Sequence, residues 1–413
     1  MKRLTQSPLI ALLAIAASFC GCWISAKGSL QVRRFPPDPP VIASPLLTSI
    51  WNEQARLLAG LPLSPDSPFF RLSFYPSFQQ QAIAMESFWR QYRKQYLDPI
   101  SEWRQTHIPT NLETRPVLYP MSGTDFLNAY ALFPHARQYI FIALEPPGYV
   151  PDLFKMTEYE RKSGLSANLR VAHALATGNY MQSRVLREQL TNKHIPGALP
   201  MFLIFCARLG HTVQSVQAVE LDENGNLCAF PGMLKSVSQL PTGTGPNDKV
   251  YGVRLTIRDH TDGADKSIVY LQLRLSNESV RSSSPEGRFL QRLKRFNTVL
   301  KAAVYILHEE AYRGVREFIL DRSELVLQDD SGIPYKAFAK HEWNERLFGS
   351  YTRILPIGGL SHLPQQPLLA RRFREIGEPL PFPYGYGVLW GKGKSNLMLF
   401  VKRTAPAGMT GMH

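Results

Sequence analysis

The spacing of apolar positions divides the chain into helical and extended stretches. Residues 47–60 place Ile50, Trp51, Ala55, Leu57 and Leu58 near one face, with Thr48 or Ser49 as cap and Gly60 as stop, which predicts a helix. A second helix is expected from Gln79 to about Thr106, where Met85, Phe88, Trp89, Tyr92, Tyr96, Ile100 and Trp103 recur at intervals of three, four and seven. That aromatic stripe fits a ligand platform or, more simply, a core-facing surface. Val117–Tyr119 is a short apolar run and Pro120–Asp125 a turn of small and capping residues. Phe126–Phe133 has helical periodicity, and Tyr139–Leu144 is a fully apolar strand closing on Glu145. Strand, turn, helix and strand make a βαβ unit, whose two strands are expected to lie parallel and buried on both faces.

Beyond it, residues 153–193 read as helices broken near Gly164 and Gly178, and Pro200–Cys206 as a buried strand. His211–Leu221 alternates like a half-exposed strand. Val250–Asp259 and Ser267–Ser276 read as a long hairpin. Phe296–Leu320 reads as the clearest helix, Leu325–Leu327 as a short strand, and Tyr384–Trp390 with Asn396–Arg403 as a final hairpin. The expected fold is α/β: a Rossmann-like mixed sheet flanked by helices, with antiparallel hairpins toward the C-terminus.

Of 413 residues, 44% are hydrophobic and 19% charged, which excludes a mostly disordered chain. One run near residue 10 approaches membrane-spanning character, which excludes a polytopic membrane protein. Lys2 and Arg3 precede the uncharged stretch Leu9–Phe19, so residues 1–21 are expected to be a secretory signal peptide. Its ending, Phe19-Cys20-Gly21-Cys22, resembles the lipobox of bacterial lipoproteins, with Phe19 in place of the usual Leu and Cys20 in place of a small residue. The resemblance implies lipidation at Cys22 and anchoring to a membrane by acyl burial. Cleavage after Ala26 to give a soluble periplasmic protein, and an uncleaved anchor, remain as alternatives. Five prolines within residues 33–47 make residues 22–48 an extended tether. Residues 49–106 then form a helical lead-in packed on the core, 107–402 the α/β domain and 403–413 a disordered tail. The expected location is the bacterial cell envelope, facing the periplasm or exterior. There Cys206 and Cys228 are either a disulfide or two buried free thiols.

Residues 115–148 resemble the opening of Rossmann-like methyltransferases. The resemblance implies that Ser122, Gly123 and Asp125 form the cofactor turn and that Glu145 binds ribose hydroxyls. The turn has one glycine where that family has two or three, and Tyr119-Pro120 replaces the usual acid, so binding of S-adenosylmethionine is not the expectation and the cofactor is left open. Four segments also resemble a family of uncharacterised secreted bacterial proteins: Tyr119–Leu127, Leu144–Gly148, Lys301–His308 and Gln328–Pro334. No activity follows from that resemblance.

Asp329 and Asp330 follow a strand, at the edge where open α/β sheets bind ligands. Neighbouring strand residues point to opposite faces, so one of them alone is expected to face a site. The candidate catalytic residues are Asp125, Glu145, Asp329 and Asp330, with a capped structural turn as the plainer reading of Asp329–Gly332. No metal site is expected from spacing: the residues four after His308 and His341 are Tyr312 and Glu345. Ser122 lacks the preceding glycine of a nucleophile elbow, since Pro120 stands there, and Gly391–Ser395 fails the phosphate-loop spacing at Val388. The net charge of +14 is concentrated at Arg281, Arg288, Arg292, Lys294, Arg295 and Lys301, and at Arg371, Arg372 and Arg374. These fit anionic lipid or a cell-wall polymer, or simply a solvated basic face; nucleic acid is not expected of an exported protein. Three functions stay open: an envelope-associated binding module, an exported hydrolase or transferase using the acidic cluster, and a degenerate methyltransferase-like scaffold.

Overall fold

The computed structural model describes residues 45–177, 190, 194–230, 250–351 except 282, 304 and 341, then 365–385 and 395–403. The expected signal peptide, Cys22 and the expected tether up to residue 44 lie outside the described residues. So do Gly178, the glycine–lysine turn at 391–394, most of the strand expected at 384–390, and the tail from 404. Among the described residues no helix is long and apolar enough to cross a membrane.

The chain enters through α1 (Pro45–Leu58), α2 (Pro76–Tyr92) and α3 (Asp98–His107). A π-helical turn at Arg93–Leu97 joins α2 to α3 and keeps Tyr92 stacked on Tyr96 at 4.9 Å. The aromatic stripe therefore faces the core: Met85, Phe88, Tyr92, Tyr96, Ile100 and Trp103 are all buried.

Next come β1 (Val117–Pro120), α4 (Phe126–Leu132) and β2 (Gln138–Ala143), with β1 and β2 parallel as expected. Then follow α5 (Glu158–Thr177), α6 (Ala198–Arg208), β3 (Thr212–Leu221), β4 (Leu227–Ala229), β5 (Tyr251–Arg258) and β6 (Asp265–Gln272). The last part holds α7 (Pro285–Arg292), β7 (Phe296–Leu300), α8 (Arg313–Arg322), β8 (Ser323–Gln328), β9 (Trp343–Gly349), α9 (Pro367–Ile376), β10 (Gly377–Glu378) and β11 (Asn396–Lys402).

One sheet runs β10-β9-β11-β8-β7-β1-β2-β6-β5-β3-β4. Its centre, β8-β7-β1-β2-β6, is parallel. Numbered by appearance along the chain, β6-β2-β1-β7-β8 gives 3-2-1-4-5, the core order of doubly wound dinucleotide-binding sheets. Antiparallel pairings extend it through β5 and β3 on one side and β11 on the other. Alternate residues of each central strand feed two cores. Val117, Tyr119, Tyr139 and Phe141 pack with α1–α6, whereas Leu118, Ile140 and Ile142 pack with α7–α9. Burial on both faces is why these strands read as unbroken apolar runs.

Several expectations are corrected. Residues 198–208 are a helix, not a strand; every one is buried, and a helix buried all round shows no polar stripe. Phe296–Leu320 is not one helix: Phe296–Leu300 is a central strand between β1 and β8, and the helix begins at Arg313. Its apolar spacing of three and four is shared between a buried strand and a later amphipathic helix. Gly164 lies inside α5 and does not break it. β11 pairs with β8 and β9, and the strand expected before it lies mostly outside the described residues. The helical lead-in begins at Pro45, inside the expected tether, and Arg403 is bonded to Glu342 and Asn344 rather than loose. The described residues, from Pro45 onward, belong to one compact unit.

Candidate functional site

Chain direction reverses across the sheet between β1 and β7. From β1 the next strand, β2, lies on one side; from β7 the next, β8, lies on the other. Such switch points open a crevice at the carboxyl ends of the strands, where α/β proteins bind ligands. The four segments noted above, Tyr119–Leu127, Leu144–Gly148, Lys301–His308 and Gln328–Pro334, occupy the carboxyl ends of β1, β2, β7 and β8.

Asp125 caps α4, accepting from the Asn128 backbone N–H at 3.3 Å and its side-chain amide at 2.8 Å through Oδ1. Its Oδ2 accepts from the Tyr119 hydroxyl at 2.9 Å and from Lys301 Nζ at 3.1 Å. Both charged side chains are 6% exposed, so the Asp125–Lys301 ion pair is buried and bridges the switch point. Lys301 Nζ also donates to the Leu175 carbonyl of α5 at 3.0 Å. Asp329 Oδ2 accepts from the Ala302 N–H at 3.1 Å, while Oδ1 accepts from the Ser331 hydroxyl at 2.7 Å and its N–H at 3.2 Å. Burial, with the Asp125 and Asp329 carboxylates and Tyr384 beside it, pushes the Tyr119 phenol well above its ordinary range. The same acids and burial do this to Tyr384, whose buried hydroxyl has no hydrogen-bond partner among the described residues.

The structure thus brings Asp125 and Asp329 together around Lys301, Tyr119 and Tyr384. The other two acids are directed elsewhere. Glu145 is buried beside Tyr270 of β6, whose hydroxyl donates to the Glu145 carbonyl at 2.8 Å. Asp330 is held through its backbone, its N–H donating to Asn396 of β11 and its carbonyl accepting from Gln366. A groove of about 380 Å³ opens beyond Gln366, bordered by Tyr351, Phe373 and Arg374. Ser122 Oγ donates to the Gly123 carbonyl at 3.0 Å, a local turn bond rather than a nucleophile–base contact.

Among the described residues, three non-glycine residues take left-handed backbone angles, and all lie on these loops: Met121 (φ 59°), Ala302 (φ 54°) and Tyr305 (φ 60°). Gly385 approaches so closely that a Cβ there would lie 2.2 Å from Asp329 Oδ2. Sequence reading missed Lys301, which was grouped with the basic surface; it is buried here. Arg288, Arg292 and Arg295 of that group donate to backbone carbonyls at Glu223, Asn224 and Asp321. The Cys206–Cys228 bridge is not formed. Cys206 is buried on α6, where burial pushes its thiol up, and Cys228 sits on β4 with Sγ 3.8 Å from Asp222. No protein-family model, no curated protein and no solved structure matches this chain.

Proposed function

We propose that the protein is a cell-envelope lipoprotein, anchored through Cys22, whose doubly wound domain acts as a binding module rather than a catalyst. The observation that supports this is the state of the two converged acids. Asp125 is spent on a helix cap, a tyrosine and a buried lysine, and Asp329 on two loop amides and a serine hydroxyl. Acids so engaged fix the shapes of the loops after β1, β7 and β8; they do not offer a free general base. The ligand class that suits the surroundings is anionic, because Arg374 of α9 borders the groove, whereas Arg371 and Arg372 are paired with Glu345 and Glu375.

Thermal unfolding of Asp125→Asn and Asp329→Asn tests the reading. Removing a loop-forming acid lowers the melting temperature, whereas removing a catalytic acid usually leaves stability unchanged or raised. Unchanged or raised melting temperatures in both variants would refute the binding-module reading. The address is tested by cell fractionation: Cys22→Ala moves the protein from the membrane to the soluble fraction, and unchanged fractionation refutes the anchor.

A second reading, an exported hydrolase or transferase, draws on the strained residues Met121, Ala302 and Tyr305 at the same edge, since such backbone strain clusters at active sites. Under it Tyr384 is the group poised for substrate, and Tyr384→Phe abolishes turnover without lowering stability.

A further inference from the structure

A second polar cluster lies at the opposite, amino-terminal edge of the parallel strands. His211 immediately precedes β3, and Asp259 and His260 immediately follow β5 in the turn that leads to β6. His211 lies far in sequence from the adjacent Asp259 and His260, which is why spacing alone does not reveal the cluster.

His211 is 3% exposed and neither ring nitrogen has a hydrogen-bond partner among the described residues. Tyr130 packs edge-on against the ring at 4.5 Å. A buried ring with an orphan donor and an orphan acceptor is costly unless something completes it. Its Nδ1 lies 3.9 Å from Asp259 Oδ1, and His260 Nδ1 lies 3.9 Å from the same oxygen. One donor atom from each residue lies within 4.8 Å of the others.

We propose that His211, Asp259 and His260 bind a divalent cation of the zinc class, with water or an external donor at a fourth position. Two imidazoles and one carboxylate are the borderline donor set that suits zinc and its first-row neighbours rather than calcium or magnesium. A tetrahedral ion with bonds of about 2.0–2.1 Å sets its ligand atoms roughly 3.4 Å apart, so each 3.9 Å nitrogen–oxygen distance closes by about half an ångström and the distance between the two imidazole donors, within 4.8 Å, by at most about 1.4 Å. His260 is half exposed and can make that adjustment, and it also leaves the ion a path from solvent. Gly210, at φ 84°, leaves room for the His260 ring, which a Cβ there would meet at 3.3 Å.

The surroundings orient the carboxylate. Asp259 Oδ2 is held by Lys266 Nζ at 2.7 Å and the Tyr130 hydroxyl at 2.8 Å. Oδ1 accepts from the Thr261 N–H at 2.7 Å and from the Thr261 hydroxyl. That hydroxyl also lies 3.0 Å from the Tyr130 hydroxyl, so it can turn to Tyr130 and release an Oδ1 lone pair to the ion. Lys266 does not make the site repulsive, because Asp262 lies 3.6 Å from the same ammonium and the two carboxylates outweigh it. These are the outer contacts that fix ligand geometry in metal sites.

The test is zinc titration of the untagged full chain by calorimetry, with cobalt as a spectroscopic stand-in. One ion per chain is expected, with four-coordinate visible bands for cobalt. His260→Ala, at an exposed position, is expected to keep the melting temperature of the metal-free protein and weaken zinc binding by tenfold or more. Cys22→Ala is expected to bind zinc as wild type does. Absence of stoichiometric uptake, equal affinity in His260→Ala, or loss of binding in Cys22→Ala would each overturn the site. If His211→Gln unfolds, the His260→Ala comparison still decides.

Discussion

The Asp125–Lys301 pair yields the sharpest prediction. Replacing Lys301 by Met keeps the length and apolar stem of the side chain but removes its charge. Asp125 would keep its bonds to Asn128 and Tyr119 and lose its cationic partner, Lys301 at 3.1 Å. Both side chains are 6% exposed, so solvent screens the loss very little. Removing one member of a buried pair costs about 3–5 kcal/mol, because the remaining charge is left uncompensated. The Leu175 carbonyl loses its donor as well, adding about 1 kcal/mol. Asp125→Asn strands the lysine instead and keeps an oxygen for the helix cap, so its cost is expected at the lower end of that range. The double variant removes both charges, and its cost should fall short of the summed single costs by about 2 kcal/mol or more. Urea unfolding at pH 7 followed by fluorescence and circular dichroism measures all four proteins, provided that the two signals change together. Single costs below about 1 kcal/mol, or additivity within about 0.5 kcal/mol, would refute a buried, coupled pair.

Gly385→Ala forces a Cβ against Asp329 at a position with φ 66°, and should cost about 2–4 kcal/mol; an unchanged urea midpoint would mean that this contact does not exist. Burial pushes His308 down to about 4, against about 6.5 when unfolded, so the unfolded chain binds the extra proton and stability falls as pH drops from about 6.5 to about 4. That fall is at most about 3 kcal/mol, and His308→Gln should flatten it; an equal pH slope in the variant counts against the assignment. Alkylation under denaturing, non-reducing conditions should modify both Cys206 and Cys228, and mass spectrometry that finds the two peptides linked would contradict the free thiols.

The central βαβ unit was legible because its strands are apolar on both faces and its turn ends in a capping acid. Val117 and Tyr119 serve one core and Leu118 the other, so no polar residue interrupts the run. The same property made Ala198–Arg208 illegible. A segment buried on all sides carries no period, and seven apolar residues suit a strand as well as a helix. The segment from Phe296 misled in the opposite way. Phe296, Val299 and Leu300 fall at helical intervals, but Phe296–Leu300 is buried on both sides between two parallel neighbours, and sheet position overrode local periodicity.

That misreading hid the site. On a helix beginning at Phe296, Lys301 joins the arginines before it as one more surface cation. At the end of a central strand its side chain is largely shielded from solvent and lies between two acidic loops. The residue pair 301–302 then explains its own strain. β7 is flanked by β1 and β8, and consecutive residues beyond its end reach in opposite directions: Lys301 Nζ to Asp125 after β1, and the Ala302 N–H to Asp329 after β8. Meeting both requires the chain to turn sharply, and Ala302 does so at φ 54°. A left-handed alanine costs about 1–2 kcal/mol. Two hydrogen bonds to ionised carboxylates, each stronger than a neutral one, offset it. The strain and the ion pair are therefore one device, which ties the loops on both sides of the switch point to β7.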